Sequence, residues 1–394
     1  MKGEAVIDWR RKAERFLPTG LDTITPEWLT LALRSRDKAV PEICAARVER
    51  IGEGFGLTGA VGRARIEWKR EVRHLPTSVI VKLPLAQTSV TSLYRKHSEQ
   101  GAPRDDPYFQ RCAREVRFYN ELAPLGLTPA PMCYFAAASE DERAIVLLLE
   151  DIEDGRQGDV LKGCSVEEVI ATVEAIAPFH GRWWHEATGS DGHLSWLPRW
   201  GGDPARRHER FRSQVEPFLE RWDSTINPEI VELIRLMETR YAAVLRAIDD
   251  LPLSAIHADL HLDNLLFVGT GEWTVALVLD WQSVCVGPIA VDLSTLITGS
   301  LSPEDMRLGF DLLLQRYSVS LLAHAGIDYP VEQLRQDMRL ALLWRLGGTV
   351  GWLSNADVDQ MAGRERELVK AAFGDGRLTS ALIELDARSL LVEF

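Results

Sequence analysis

Two features that often decide the class of a protein are missing from this sequence of 394 residues. No apolar run approaches the roughly 20 residues of a membrane-spanning helix, because the run AIVLLLE at 144–150 is only as long as a strand. Basic residues are not in excess either, since 45 basic and 58 acidic residues give a net charge of −13. Nucleic-acid-binding proteins normally present a basic face. We therefore expect neither a membrane protein nor a nucleic-acid-binding protein.

Cysteine is scarce and unpatterned. The five cysteines are odd in number and scattered, and none forms a CxxC pair. This usage suits a reduced cytoplasm and provides no zinc framework. Residues 1–16, MKGEAVIDWRRKAERF, mix charges without an apolar segment, so they do not resemble a signal peptide. We expect a cytoplasmic protein, and nothing in the sequence indicates its oligomeric state.

The first part of the chain combines short strands with helices. Thr25 and Pro26 are typical of a helix start, and they predict a helix over 25–36. Periodicity and turn residues predict further elements: strands between 45 and 83, a helix over 107–122, and strands at 132–138 and 144–149.

After an acidic segment, EDIEDG, the pattern becomes helical. Helices are predicted over 165–187, 205–222, 227–249 and from about 303 to the C-terminus, with one strand pair at 265–268 and 274–279. We predict an α+β protein with two lobes. Residues 1–149 would hold an N-terminal helix and a five-stranded antiparallel sheet. Residues 150–394 would be mostly helical and hold a hinge, a catalytic β-hairpin and an acceptor pocket.

The stretch AIHADLHLDNLLF, at 255–267, concentrates polar residues before an apolar run. Its alternating His257, Asp259 and His261 could be three metal ligands, part of a phosphotransferase loop, or a polar turn before a buried strand. The residues that follow favour the second interpretation. Two apolar runs joined by VGTGEW predict a hairpin. Antiparallel pairing would bring Asn264 and Asp280 to one end of it, where their oxygens suit Mg²⁺.

The pattern H-x-D-x-H-x-x-N, followed by Asp-Trp at a strand end, resembles the catalytic segment of the aminoglycoside phosphotransferase and choline kinase-like family. It is especially similar to the branch with ecdysteroid kinase-like enzymes. The resemblance implies a bilobal protein-kinase-like fold. It also implies that Asp259 is the catalytic base, that Asn264 and Asp280 bind magnesium, and that His261 lies beside the transferred phosphate. The segment GPIAVDLSTL also matches the family, and its Asp292 would brace the loop through hydrogen bonds.

The first lobe should then hold elements that bind the nucleotide phosphates. Lys82 lies in an apolar strand, where an unpaired ammonium group would be unfavourable if buried. Glu115, on the following helix, is the expected partner, and the resemblance implies that Lys82 grips the α- and β-phosphates. Glycines at 52, 54, 56, 59 and 62 predict a loop whose backbone N–H groups approach the phosphates.

The acidic segment would form the hinge between the lobes. An apolar strand that leads into a linker can present its backbone around Glu150, Asp151 and Ile152 to the adenine of ATP. The side chains of Asp151 and Asp154 could reach the ribose or the acceptor, although a solvated acidic linker is the simpler interpretation.

The acceptor is the least determined part of the prediction. Trp183, Trp184, Trp344 and Trp352 could line a pocket for a cationic or ring-bearing acceptor, or could belong to the helical core. We expect an enzyme that uses ATP and Mg²⁺ to phosphorylate a hydroxyl group of a small molecule. The acceptor could be an aminoglycoside, an amino alcohol, a sugar or another alcohol.

Two alternative functions stay open at this stage. One is a non-catalytic nucleotide-binding relative, against which the intact set of Lys82, Asp259, Asn264 and Asp280 argues. The other is a metal-dependent hydrolase with His257, Asp259 and His261 as its ligands.

Overall fold

A computed structural model of the chain describes residues 8–52, 59–70, 74–85, 106–184, 186, 192–354, 363–373 and 376–394. The chain divides into two compact units. The first comprises Met1–Gly126, Ala130–Asp154 and Asp280–Ser283, and the second comprises Leu127–Pro129, Gly155–Leu279 and Val284–Phe394. Within the described segments, every helix is too short or too polar to cross a membrane.

Among its described residues, the first unit contains one antiparallel sheet and three α-helices. The strands are β1 (Ile43–Arg50), β2 (Ala60–Trp68), β3 (Ser78–Leu83), β4 (Cys133–Ser139) and β5 (Ala144–Glu150), in the spatial order β1-β2-β3-β5-β4. The helices are α1 (Trp9–Glu14), α2 (Pro26–Arg34) and α3 (Pro107–Arg117), the last of which continues as a π-helical turn, Phe118–Leu122. Thr25 caps α2 by accepting a hydrogen bond from the Trp28 N–H group, as its sequence predicts.

The core of this unit lies between α2 and the sheet. Trp28 packs edge-to-face on Phe135 of β4, with ring centroids 5.8 Å apart. β3 is a central strand, paired with β2 on one side and β5 on the other. Its position explains why the segment SVIVKL is almost wholly apolar, and it places Lys82 in the middle of the sheet.

The second unit is mostly helical. Its helices are α4 (Val166–Arg182), α5 (Pro204–Trp222), α6 (Pro228–Asp249), α7 (Ile289–Ser300), α8 (Pro303–Ala325), α9 (Val331–Ser354), α10 (Gly363–Ala372), α11 (Arg377–Glu384) and α12 (Ala387–Glu393). Its strands are β6 (Arg156–Gln157), β7 (Leu253–Ile256), β8 (Leu265–Val268), β9 (Val275–Val278) and β10 (Cys285–Pro288).

The predicted hairpin is formed by β8 and β9, with Leu265 opposite Val278. Gly269 has a φ of +84°, and a Cβ atom there would lie 2.5 Å from the carbonyl oxygen of Trp273, so the turn requires glycine. β6 joins β8 as a third strand, and β7 pairs with β10. The sequence does not predict β6, β7 or β10, because each is short and no turn signal joins it directly to its partner strand. The predicted α+β class is confirmed.

Candidate active site

Lys82 and two carboxylates form a buried charge cluster in the first unit. The Lys82 ammonium group donates to both Glu115 oxygens, at 2.8 and 2.6 Å, and to Asp280 Oδ1 at 2.6 Å. The Glu115 carboxylate is 1% exposed. The structure therefore brings together three residues that are distant in the sequence, on β3, on α3 and after β9.

Burial and charge act in opposite directions on this cluster. Burial alone would lower the pKa of Lys82, but the charges of Asp280 and Glu115 outweigh it and raise that pKa above its usual value. Burial raises the pKa of Glu115, and the negative charge of Asp280 adds to this, while Lys82 opposes both. Lys82 is thus held firmly in its charged form, which its predicted role in phosphate binding requires.

Asp280 is held in place by its neighbours in the chain. Trp281 is fully buried and stacks on Phe118, with ring centroids 4.1 Å apart. Arg111, on α3, donates to the Ser283 hydroxyl at 2.8 Å. Asp280 itself has a φ of +60°, a conformation that is uncommon for residues other than glycine but is more accessible to aspartate than to most. The contacts of the residues that follow Asp280 therefore hold its carboxylate beside Lys82.

The hinge residues have defined partners. The Glu150 N–H group donates to the carbonyl of Met132 at 2.8 Å. The Asp151 carboxylate accepts two hydrogen bonds from Arg63, at 2.7 and 3.0 Å, and its side chain is 2% exposed. Asp151 is therefore not the solvated linker charge that its sequence suggested. The N–H group of Glu150 is occupied, so the backbone of Glu150 can contribute only its carbonyl to the predicted adenine contact, beside the backbone of Asp151 and Ile152.

The glycine-rich loop predicted to bind phosphate lies only partly within the described residues. Gly54 and Gly56 lie outside the described residues. At Gly59, with a φ of +80°, a Cβ atom would lie 2.5 Å from the carbonyl oxygen of Leu83, so a side chain would displace the end of β3 beside Lys82.

In the second unit, a buried carboxylate organises the segment that precedes Asp259. Asp292, on α7, accepts hydrogen bonds from the His257 and Ala258 N–H groups, both at 2.7 Å. Asp292 Oδ2 also lies 3.2 Å from His180 Nε2, and the other nitrogen of His180 lies 2.9 Å from the Tyr317 hydroxyl. All three side chains of this Asp292–His180–Tyr317 network are buried. The predicted bracing role of Asp292 is confirmed, whereas no sequence pattern indicates the part played by His180.

The hydrogen bonds that follow Asp259 orient Asn264. The Asn264 amide nitrogen donates to the Asp259 carbonyl at 2.9 Å and lies 3.3 Å from His261 Nε2. This leaves the amide oxygen, rather than the nitrogen, to meet a cation. The Asp259 carboxylate is about one-third exposed and lies 3.5 Å from His261 Nε2. The Asp263 carboxylate instead accepts from the Val160 N–H group at 2.8 Å, so it serves the loop structure.

The geometry of His257 argues against the metal triplet. Its Nε2 donates to the Leu279 carbonyl at 2.9 Å, and its Nδ1 accepts from the Asp259 N–H group at 3.3 Å. Both ring nitrogens are therefore engaged inside a buried loop. Among the described residues, no group of three or more His, Cys, Asp or Glu side chains is arranged to hold a metal ion.

The four tryptophans do not form one wall. Trp183 is in the core, and so is Trp184, which packs against Tyr329 with ring centroids 5.3 Å apart. Trp344 packs against Trp200, at 4.6 Å, and Trp352 is exposed. Trp183 and Trp184 are thus core residues, as aromatic side chains in helices commonly are.

Comparison with known proteins assigns the family. Residues 68–331 match the model of the phosphotransferase enzyme family, APH, which is about two thirds of the chain. The chain therefore belongs to the phosphotransferase enzyme family. This membership confirms the predicted enzyme class, a small-molecule kinase. Among curated protein sequences, none matches this chain. The narrower likeness to ecdysteroid kinase-like enzymes stays a prediction.

Solved structures are similar in fold. A candidate aminoglycoside phosphotransferase from Ralstonia eutropha JMP134 has a TM-score of 0.53 at 16% identity, over 92% of this chain and 97% of that one. Choline kinase from Cryptosporidium parvum Iowa II has a TM-score of 0.47 at 12% identity, over 88% and 90%. Ethanolamine kinase from Plasmodium vivax has a TM-score of 0.45 at 12% identity, over 98% and 95%. The likeness to the first confirms the predicted protein-kinase-like fold.

Proposed function

We propose that this phosphotransferase moves the γ-phosphate of ATP to a hydroxyl group of a small molecule in the presence of Mg²⁺. The observation that carries the proposal is the cluster of Lys82 with Glu115 and Asp280. A fixed ammonium group between two carboxylates is what phosphate binding requires, because one carboxylate can orient the lysine while the other meets the metal.

In this proposal Asn264 and Asp280 hold the magnesium ion. The fit is chemical, since both offer the hard oxygen ligands that Mg²⁺ prefers. The backbone carbonyl of Asn264 accepts a hydrogen bond from the Leu279 N–H group at 2.8 Å. Asp280 is the next residue in the chain after Leu279. A bound magnesium ion would neutralise charge on the nucleotide phosphates. Lys82 would add its own positive charge, and the backbone of Asp151 and Ile152 would contact the adenine.

Asp259 is the proposed general base. Its partly exposed carboxylate can accept the proton of an acceptor hydroxyl and align that oxygen with the γ-phosphate. His261 would act beside it, because its Nε2 faces both Asp259 and the Asn264 amide. The two hydrogen bonds that Asp292 accepts from the loop backbone, here called the Asp292 clamp, would keep this arrangement rigid.

We also infer a cytoplasmic location, because all five cysteines are free thiols and a reducing compartment keeps them so. The acceptor would be an aminoglycoside, an amino alcohol, a sugar or another alcohol.

The experiment is a screen of ATP consumption with these four acceptor classes, in which the mass of each product is measured. An acceptor that gains one phosphate in a magnesium-dependent reaction supports the proposal. ATP binding without phosphorylation of any acceptor would favour a non-catalytic relative. Activity that needs no nucleotide and is lost when zinc is removed would favour the metal-dependent hydrolase instead.

A further inference from the structure

The outward face of α8 carries an apolar stripe. Four of its large apolar side chains are exposed: Leu308 by 77%, Leu312 by 44%, Val319 by 58% and Leu322 by 50%. The opposite face of the same helix is also apolar, and it is buried in the second unit. A helix that is apolar on both faces is typical of one that is covered on both.

Other long helices of this unit provide an internal control. α5 and α6, with 19 and 22 residues that are all described, have no exposed large apolar side chain. Their outward faces carry residues such as Arg210, Glu220 and Arg235. The stripe on α8 is therefore a particular feature of that helix and not the usual surface of this unit.

The stripe has a leucine at each end, and the two leucines are equally distant from its middle. With the exposed Gln315 at its centre, the positions 308, 312, 315, 319 and 322 are separated by four, three, four and three residues. This is the spacing with which two helices pack side chains between one another. Leu308 and Leu322 are equally distant from Gln315, and Leu312 and Val319 nearly so. A helix with such a pattern is complementary to a copy of itself running the other way.

The surrounding charges are compatible with a second copy. Arg316 pairs with Glu174 at 2.6 Å on one side of the stripe, and Asp311 pairs with Arg335 on the other. Both borders are thus ion-paired and do not carry charge of a single sign. The first turn of α8 is acidic and its last turn holds a histidine, so antiparallel helices would align opposite ends and opposite dipoles.

We propose that this stripe, Leu308 to Leu322, is the contact surface of a two-fold dimer in which α8 packs antiparallel against α8 of a second copy of the chain. Two-fold symmetry places Leu308 beside Leu322 of the partner and Gln315 beside its own copy. The stripe is about 21 Å long. One helix pair of this length buries less than the roughly 1,600 Å² of a standard interface, so the dimer should be weak and depend on concentration.

The first test is sedimentation velocity over about a hundredfold range of protein concentration. The parent chain should pass from monomer to dimer. Leu308→Lys and Leu322→Glu should each weaken association by at least about tenfold, because each places a charge in the apolar contact. Val392→Glu, a matched change at an exposed apolar residue of α12, should leave association unchanged. A parent chain that stays monomeric throughout, or a dimer untouched by both α8 changes, would overturn the proposal.

Mixing the Leu308→Lys and Leu322→Glu variants tests the antiparallel register. Each mixed dimer would hold one contact between the introduced lysine and the introduced glutamate, and one unaltered leucine contact. The mixture should therefore associate more strongly than either variant does alone. A parallel pairing would bring position 308 to its own copy, and mixing would then restore nothing.

Crosslinking supplies an independent readout. In a Cys44→Ser chain, which lacks the exposed native thiol, Gln315→Cys should form a disulfide-linked dimer when a mild added oxidant accepts the two electrons of the new S–S bond. Ala323→Cys, also exposed on α8, should not, since its copies would lie about 24 Å apart along the helices. Equal crosslinking of both variants would overturn the register.

Discussion

Lys82 carries one positive charge between two carboxylates. Because negative charge already exceeds positive charge in this cluster, removal of the Lys82 ammonium group should destabilise the fold. In the Lys82→Met variant, Glu115 and Asp280 would remain as neighbouring negative charges in a buried place. Breaking a buried ion pair in this way typically costs about 3–5 kcal/mol. The pKa of Glu115, already raised by burial, should rise further once Lys82 no longer opposes the shift.

The first prediction concerns the pH dependence of this variant. A carboxyl group whose pKa is raised in the folded state binds more protons when folded than when unfolded. Its contribution to the free energy of unfolding is therefore fully present below its unfolded pKa. That contribution is lost as the pH rises through the folded value. The free energy of unfolding of Lys82→Met should therefore fall between pH 5 and pH 8, as urea titrations at each pH would measure.

The double variant Lys82→Met with Glu115→Gln is the control for this effect. It keeps the side-chain shape but removes the carboxyl group that titrates, so most of the added pH dependence should disappear. If the slope persists in the double variant, another group is responsible.

Asp259 differs from Asp263, four residues away, in what its carboxylate meets. The Asp263 oxygen holds the Val160 N–H group, whereas the Asp259 carboxylate is partly exposed beside His261. Asp259→Asn should lower turnover by about 10²–10⁴-fold, the usual range for a lost general base. Nucleotide affinity should change little, because the phosphate-binding charges lie on Lys82 and Asp280. Turnover and nucleotide binding should be measured on the same preparation.

Asp263→Asn is the matched control, since an amide oxygen can still accept from Val160. Its turnover should stay near that of the parent chain. Equal losses in the two variants would indicate that the loop had been disturbed, and unchanged turnover in Asp259→Asn would remove that residue from the mechanism.

At the level of single residues, what can be predicted depends on how much of the information is local. The lysine in an apolar strand demands a counter-charge, and a following helix offers Glu115, so this pair can be inferred from the sequence. The partner of Asp151 is Arg63, 88 residues earlier, and no local pattern connects them. His180 meets Asp292 across 112 residues, and a lone histidine in an amphipathic helix has no distinctive signature.

The element that holds the catalytic loop is the first turn of α7. Its Asp292 accepts from two successive N–H groups, and Ala258, which provides the second of them, has a φ of +63°, which is unfavourable for alanine. The helix thus stabilises a backbone conformation that the loop would not keep alone. Asp292→Ala would leave both N–H groups buried without an acceptor.

We expect Asp292→Ala to lose several kcal/mol of unfolding free energy, at about 1–3 kcal/mol for each unsatisfied buried group. The variant should also lose turnover, while its affinity for nucleotide changes less. Urea unfolding and steady-state kinetics measure the two effects. Ser294→Ala, on the same helix, removes only a hydrogen bond to the Val291 carbonyl. It should change the free energy of unfolding and the turnover little. A stable, fully active Asp292→Ala variant would show that the loop does not depend on the clamp.

At the level of elements, the separation of paired strands along the chain decides what the sequence reveals. The β8–β9 hairpin is flanked by apolar runs and closed by Gly269, and it can be recognised from that pattern. The β7–β10 pair has four residues in each strand, and its two strands lie about 30 residues apart. Only the folded chain, with Ala255 opposite Val286, shows that β7 is held immediately before His257.

At the scale of the whole molecule, ligand binding can be measured as a change in stability. The first compact unit contains Lys82, Glu115 and Asp280, and the second contains Asp259 and Asn264. The chain passes from the second unit into the first between Leu279 and Asp280. A ligand that binds only the folded molecule stabilises it by mass action, by about 2.7 kcal/mol at a concentration 100 times its dissociation constant.

Asp280 provides the test at this scale, because it is both a partner of Lys82 and a proposed magnesium ligand. In the parent chain, ATP with Mg²⁺ should raise the melting temperature by several degrees, and ATP with EDTA should raise it less. Asp280→Asn keeps an oxygen that Lys82 can meet but removes the charge that attracts the metal, so Mg²⁺ should then add little to the effect of ATP. Thermal unfolding with ATP alone, Mg²⁺ alone and both separates these contributions. If Mg²⁺ still enhanced stabilisation by ATP in Asp280→Asn as strongly as in the parent chain, the metal would have to be held elsewhere. The assignment of Asp280 and Asn264 as its ligands would then be wrong.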